Sequence, residues 1–485
     1  MVIPEAFPQI AWSALAPELV LVFGAVAILL LDVQRKPGVR VLWGTSLVIL
    51  AVALALGVWQ WIAATPDAEP IFGGMLIFDR SAALARLVVL GVCVQAMPAA
   101  RSLFAHLGTR AAEGLALVLL AAAGFILMAA SQNLVMMFLG LEMGSIALYI
   151  LAGIAGDGVR SDEAALKYLL LGAVASAVFI YGAALVFAGT GSLDLLRVAG
   201  FFAGNLVLSP AVILVGIGLL TAGLSFKVAA APFHVWAPDV YQGAPAGIVG
   251  YMAAVAKVGG FAALARVLLS GFEGFRPDWA PIVAGIAALS MVVGALMAII
   301  SSDIRRLLAY SGVAHAGFIL TGLASGAQGS SSVWFYLAVY TVQLVAAFSV
   351  ISALGGAVSS GSDLSDYRGL YRRSPFLALA LSVSLLGMAG LPLTTGFVAK
   401  LGVFLWAWRG ELEWLVVVAV VASAMAIYLY LRVIVIMYMQ SPDNDDPVGC
   451  DRPTSWALGA ATAVTVVLGV FPQPLLRLVE SAVYL

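Results

Sequence analysis

Four of the five lysines in this 485-residue chain, Lys167, Lys227, Lys257 and Lys400, lie in or beside long apolar runs, and only Lys36 stands in a cationic loop. An ammonium at the centre of a membrane helix costs about 2.5–3.5 kcal/mol on the insertion scale, so such lysines are expected to have a task. Lys257 is flanked by apolar and small residues in "YMAAVAKVGGFAALARVL". One acid, Glu142 in "NLVMMFLGLEMGSIALYILAG", shares that setting, and its candidate cation partners are Lys227 and Lys167. His315 follows Tyr310 and Ser311 by about one helical turn in "LLAYSGVAHAGFILTG", and His234 follows Lys227 in "FKVAAAPFHVWAPDVYQGAP". Ammonium, imidazole and carboxylate groups held away from water can take up and release protons without any covalent step. Moving one charge against 100 mV costs about 2.3 kcal/mol. Making or breaking a carboxylate–ammonium contact shifts proton affinity by roughly 1–3 pKa units, at about 1.36 kcal/mol each. The two magnitudes match, which favours a proton pathway. The plainer roles are a structural ion pair for Glu142 and a hydrogen-bonded core residue for His315. For Lys167 the plainer role is a partner to Asp162 and Glu163, a turn before it.

Proline marks the elements that would position these groups. It removes a backbone donor and frees the carbonyl four residues back. Pro232, Pro238 and Pro245 thereby free the carbonyls of Val228, His234 and Tyr241. A second break falls in "LLGMAGLPLTTGFVAKLGVF", where Pro392 frees Met388, Gly387, Gly390 and Gly396 soften the flanks, and Lys400 follows two turns later.

The surrounding chain is 63% apolar and 10% charged, against roughly 25% charged in a soluble domain. Apolar runs of membrane-crossing length, about 20 residues, recur near 14–33, 41–62, 78–98, 112–130, 133–153, 164–188, 208–230, 244–269, 280–300, 305–324, 331–355, 375–408, 413–438 and 454–474. Strand-like alternation is absent, and the reading is an all-α polytopic membrane protein of about fourteen helices in a single domain over 1–485. The breaks fall in helices 7 and 12, an odd number of spans apart. Two inverted five-helix repeats follow: helices 4–8 over 111–270 and helices 9–13 over 280–440. Three N-terminal helices (1–110) precede them and a last helix (454–474) follows.

Cations mark one side. Arg35, Lys36, Arg40, Arg101, Arg110, Arg160, Arg305, Arg306, Arg368, Arg372, Arg373 and Arg452 follow odd-numbered spans, while the alternate loops hold Arg80, Arg197, Arg276, Arg409, Asp67 and Glu69. By the positive-inside rule the first set is cytoplasmic and both termini lie on the opposite, periplasmic side. The first span follows no basic segment or small-residue cleavage site and is expected to stay. Cys93 and Cys450 lack metal or iron–sulfur spacing, no dinucleotide or P-loop glycine motif occurs, and no basic stripe suggests nucleic acid.

"LGLEMGSIALYILAG", "EAALKYLLLGAVASAVFIYGAALVFAGTGSLDL", "FKVAAAPFHVWAPDVYQGAP", "DIRRLLAYSGVAHAGF" and "GLPLTTGFVAK" resemble the antiporter-like membrane subunits of bacterial respiratory complex I, the proton-translocating NADH–quinone oxidoreductase. The resemblance covers about residues 110–440 and is nearest the N-type paralogue. It implies a Glu142–Lys227 ion pair controlling the path, Lys257 as central proton carrier, and His234 and His315 as relays. Lys400 would be the terminal site, and Lys167 would tune Glu142 or link the input. It also implies no cofactor on this chain, with NADH, FMN, iron–sulfur clusters and quinone on partner subunits. The implied partners are another antiporter-like subunit, small membrane subunits and the lipid of the inner membrane. Subunits of multisubunit sodium–proton antiporters and membrane-bound hydrogenases share the lysine and broken-helix pattern, and form the alternative.

Overall fold

The computed structural model describes residues 12–63, 68–156, 158–204, 210–355, 362–442 and 446–482; Asp67 and part of the connector after residue 355 lie outside them. Among the described residues the chain is helical, with isolated β-bridges in place of strands. The order begins with α1 (Ala16–Arg35), α2 (Val39–Ala63), α3 (Arg80–Leu107), α4 (Ala111–Ala130), α5 (Leu134–Gly153) and α6 (Val159–Thr190). It continues through α7 (Leu195–Gly204), α8 (Ala211–Lys227), α9 (Trp236–Gly243), α10 (Ala246–Ala265), α11 (Arg276–Ile300), α12 (Ile304–Ala324) and α13 (Ser330–Gly355). The remainder is α14 (Leu370–Arg373), α15 (Pro375–Ala389), α16 (Thr395–Arg409), α17 (Glu413–Met439), α18 (Arg452–Val470) and α19 (Gln473–Glu480).

Eleven helical stretches among the described residues are long and apolar enough to cross a membrane. One of them, Arg80–Ala130, is bent at Gly108–Arg110 into α3 and α4. Two shorter apolar helices, α8 and α15, lie in the seventh and twelfth apolar runs, and each is followed by an interruption and a further helix, α9 and α16. Short α7 and α19 were not foreseen, because neither is an apolar run of spanning length.

Polar residues at the ends of the runs set the boundaries. Asp79, Asn133, Asp303 and Asp451 sit just ahead of α3, α5, α12 and α18, and their side chains accept backbone N–H bonds from the first turns. These orphan donors would otherwise be unsatisfied at the membrane face. Glycine sets the closest approaches. A Cβ on Gly124 would collide with the backbone of Gly144, and one on Gly140 would come within 2.6 Å of the Met128 nitrogen, so α4 and α5 touch backbone to backbone. α11 and α12 repeat this through Gly294 and Gly317. Small residues allow such contact in lipid, where packing rather than water drives association. A second correspondence lies at the starts of α5 and α12. Leu134 N–H donates to Leu193 O and Leu195 N–H to Gln132 O, both at 2.9 Å. Likewise Ile304 N–H donates to Ser362 O at 2.8 Å and Leu364 N–H to Ser302 O at 2.9 Å.

α10 is buried along its whole length and α12 at every residue but Arg306, whereas α2, α6 and α17 carry exposed valines and leucines. The centre of the bundle is therefore the pair of helices that hold Lys257 and His315. At the edge of the bundle, Arg86 on α3 bonds Glu18 on α1 at 2.7 and 3.0 Å, bonds Gln60 on α2, and stacks 4.6 Å from Phe78. Both charges are buried. Glu18→Ala strands the guanidinium and is expected to destabilise the chain by about 3–5 kcal/mol, with much less lost when Glu18→Leu and Arg86→Met are combined. Thermal melts of the purified assembly would decide; equal losses in both variants would refute it.

Candidate functional site

The break after α8 runs from Val228 to Val235, with Ala229 in the left-handed region (φ 57°) and Pro232 inside it. The break after α15 runs from Gly390 to Thr394, with Leu393 left-handed (φ 70°) and Pro392 inside it. Non-glycine residues seldom adopt that conformation, and where they do the surrounding structure holds them there. Pro238 is not in the gap: it lies in the first turn of α9, where a missing N–H costs nothing. The carbonyl that it would free, His234 O, accepts from Ala237 N–H instead, at 2.9 Å.

Each gap receives an ammonium. Lys257 donates to Val228 O and to Gly312 O, both at 2.8 Å. Val228 O is the carbonyl that Pro232 was expected to free. Lys400 donates to Ala389 O at 2.8 Å and lies 4.6 Å from the Phe318 ring. Its acceptor is thus one residue beyond Met388, at the last residue of α15. Both cations sit at the C-terminal end of a half-helix, where the dipole is negative.

Lys227, the last residue of α8, donates to Ser145 Oγ at 2.7 Å and Tyr149 OH at 3.3 Å. Glu142 instead accepts from Ser176 on α6. The expected Glu142–Lys227 ion pair is therefore not a contact pair in this structure. Ser145 and Tyr149 follow Glu142 on the same helix by about one and two turns, and Lys227 meets their hydroxyls rather than the carboxylate. Lys167 also departs from expectation. It reaches Glu163 at 2.6 Å and Asp239 at 2.8 Å, and Arg306 holds the other Asp239 oxygen at 2.6 Å. With 42% of its side chain exposed, Lys167 belongs to a charged cluster at the bundle's surface and does not touch Glu142.

His315 continues the line from Lys257. Its Nδ1 pairs with Tyr336 OH at 2.8 Å and its Nε2 with Tyr430 OH at 3.2 Å, while Tyr430 pairs in turn with Ser311. Its ring packs 4.5 Å from that of Tyr340, and Phe318, against which Lys400 lies, is 5.9 Å away. His234 is not joined to this line: its Nδ1 is buried without a partner and its ring is 6.3 Å from Tyr310. Tyr310, expected beside His315, faces His234 instead. Sequence reasoning missed Ser145, Tyr149, Ser176, Tyr336 and Tyr430. Only Ser145 and Tyr149 had a visible signal, their helical spacing from Glu142. No group of three or more potential metal ligands occurs among the described residues.

Split spans around a buried succession of ammonium, hydroxyl and imidazole groups define an antiporter-like membrane subunit. The family described as "NADH:quinone oxidoreductase/Mrp antiporter, TM" matches residues 131–426, and the chain belongs to it. More particularly, it is 41% identical to the NADH-quinone oxidoreductase subunit N of Parafrankia sp. (strain EAN1pec), over 98% of this chain and 95% of that protein. This agrees with the resemblance to the N-type. Among solved structures, a chain of respiratory complex I from Thermus thermophilus with bound aureothin is 34% identical, with a TM-score of 0.82 over 95% of this chain and 98% of that one. A chain of the Mrp complex from Dietzia sp. DQ12-45-1b superimposes with a TM-score of 0.85 over 98% and 97% of the two chains at 20% identity, a likeness of fold alone.

Proposed function

We propose that this chain is a proton-translocating membrane subunit of a bacterial NADH–quinone oxidoreductase, contributing to the enzyme as part of the translocase while redox chemistry takes place on partner subunits. The observation that carries this is the buried line itself. Glu142 meets Ser176; Lys227 meets Ser145 and Tyr149; Lys257 meets the carbonyl next to Lys227; His315 meets Tyr336 and Tyr430; and Lys400 closes the far end. The groups alternate between those that exchange protons and those that relay hydrogen bonds. Buried ionisable groups in membrane spans belong to such relays by default.

In this reading Lys227 and Lys257 flank the first helix break, and Lys400 serves the second. Glu142 acts on Lys227 through space rather than by direct contact. His234 stands beside the first break with a free nitrogen, so its relay role requires water. Lys167 tunes Asp239 and Arg306 at the surface instead of tuning Glu142. The paired bridges at the starts of α5 and α12 and the shared glycine contacts support two repeats, 111–270 and 280–440. The chain would lie in the inner membrane with its arginine-rich loops cytoplasmic and both termini periplasmic, beside another antiporter-like subunit and small membrane subunits. NADH, FMN, iron–sulfur clusters and quinone would be held by other subunits.

The test uses the assembled complex in proteoliposomes, with NADH-driven acidification followed by a pH-sensitive dye. Lys227→Met and Glu142→Gln are expected to slow proton movement about tenfold or more, since loss of at least one pKa unit of coupling is worth that factor. Unchanged acidification and quinone reduction in both variants would sink the proposal. A rate that follows sodium rather than proton concentration would favour the antiporter alternative.

A further inference from the structure

We propose that the hydroxyl of Tyr340 and a water molecule seated on Gly312 carry the proton between Lys257 and the His315 cluster. The inference rests on the proton path proposed above and adds two residues to it. A lysine ammonium has three N–H donors. Lys257 spends two of them on Val228 O and Gly312 O, and among the described residues the third has no hydrogen-bond acceptor. Tyr340, on α13, is 1% exposed, and its hydroxyl is buried without a partner. Buried donors and acceptors are nearly always paired. Two unpaired groups that face one spot therefore point to a bound molecule.

Gly312 is that spot. A Cβ there would have as its nearest neighbours Tyr340 Oη at 3.1 Å and Lys257 Cε and Nζ at 3.6 and 3.8 Å. Gly317 on the same helix differs: its Cβ would meet Ala287 O at 2.6 Å, so the close approach of α11 demands a glycine. No such backbone contact crowds Gly312. Glycine inside a helix is disfavoured relative to alanine, and here the gain is the space itself. A water oxygen in place of the missing methyl stands at hydrogen-bonding distance from Tyr340, and a shift of about 1 Å brings it to Lys257 as well. It thereby finds the two polar partners that a buried water needs. Beyond it the Tyr340 ring lies 4.5 Å from that of His315, whose nitrogens pair with Tyr336 and Tyr430. In the transfer, the Lys257 Nζ–H bond breaks as the water takes that proton, and the water gives one of its own to Tyr340 Oη. The phenol releases its original proton toward Tyr336, Tyr430 and His315. Lys257 ends neutral, water and phenol end as they began, and one positive charge has moved on.

The test is NADH-driven acidification by the assembled complex in proteoliposomes, compared in light and heavy water, with a thermal melt of each variant. Tyr340→Phe removes a hydroxyl that bonds nothing in the protein, so a packing role predicts a wild-type rate and equal or higher stability. The relay predicts the same stability but acidification slower by about fivefold or more, roughly the worth of one hydrogen bond in the transfer step. The light-to-heavy-water rate ratio should rise with it, because proton transfer becomes the slow step. Gly312→Ala should slow acidification likewise, and the double variant should be no slower than the slower single one, since both act on one step. A loss in Tyr340→Phe with a lowered melt and an unchanged isotope ratio would assign the hydroxyl to packing and overturn the relay. If Lys257→Met stops acidification while Tyr340→Phe runs at the wild-type rate, the relay falls and the proton path stands. If Lys257→Met also runs at that rate, both fall.

Discussion

Replacing Lys257 by methionine is expected to reduce NADH-driven proton movement by at least about tenfold, and the same is expected of arginine at that position. Methionine keeps much of the side-chain volume but leaves Val228 O and Gly312 O without their shared donor. On the proposed path this removes the lysine that stands between Lys227 and His315, and one pKa unit of lost coupling already accounts for a factor of ten. Arginine is the sharper variant. It keeps the positive charge and can satisfy both carbonyls, but it does not deprotonate in proteins. A purely structural cation would therefore be rescued by Lys257→Arg, whereas a group that must release its proton would not. Acidification of proteoliposomes, normalised to assembled complex, reads the difference. Full activity in Lys257→Arg would remove Lys257 from the proton path while leaving its place in the fold untouched.

The features that fixed Lys257 in advance were local. Apolar runs reveal spans because lipid demands them, and prolines reveal breaks because a missing donor acts four residues away. Val228 O, inferred free from Pro232 alone, is indeed the carbonyl on which Lys257 closes. The relay hydroxyls were illegible for the opposite reason. Tyr430 reaches Ser311 and His315 across more than a hundred residues, and tyrosine and serine in apolar helices carry no mark that separates relay from packing. Lys167 shows the intermediate case. Glu163, one turn before it, was visible as a partner, but Asp239 becomes one only because α9 resumes after the break and turns its acid toward α6. The failure of Glu142 and Lys227 to touch has the same origin: the order of side chains along a single face of α5 decided it, and only the packing of α8 against that face reveals the order. Glu18, Asp79, Arg86 and Arg266 were not singled out although they lie within the apolar runs 14–33, 78–98 and 244–269, which hid the buried Glu18–Arg86 pair and a second pair between Asp79 and Arg266.

That second pair should yield the largest stability effect. Arg266 follows the last residue of α10 and opens a π-helical turn, Arg266–Gly271. It grips Asp79 through two bonds, at 2.9 and 3.0 Å, and also reaches Ser81 (3.0 Å), Ala129 O (3.1 Å) and Gln132 (3.3 Å). One side chain thus joins the start of α3, the α4–α5 turn and the end of the helix that carries Lys257. Arg266→Met is expected to cost about 3 kcal/mol at neutral pH, the low end for a broken buried pair because Asp79 retains 16% exposure. The pH dependence has a definite sign. Burial pushes the Asp79 carboxyl up, but Arg266, with the hydrogen bonds from Ala82 and Ser81, outweighs it and holds the group below the ordinary carboxylate value. Its stabilisation is therefore present above the unfolded carboxylate value, about pH 4, and is lost as pH falls through the lower folded value. Without Arg266 the main lowering influence is gone and burial dominates, so a charged Asp79 becomes unfavourable at neutral pH and protonation relieves it. The deficit of Arg266→Met relative to wild type should accordingly shrink as the pH of a thermal inactivation series is lowered from 7.5 toward 5. Adding Asp79→Asn to Arg266→Met should recover part of the loss at pH 7.5, because a neutral amide is cheaper to leave in that position than an unpaired carboxylate. A deficit that grows in acid, or a double variant no more stable than the single, would show that Arg266 acts through packing rather than through the charge of Asp79.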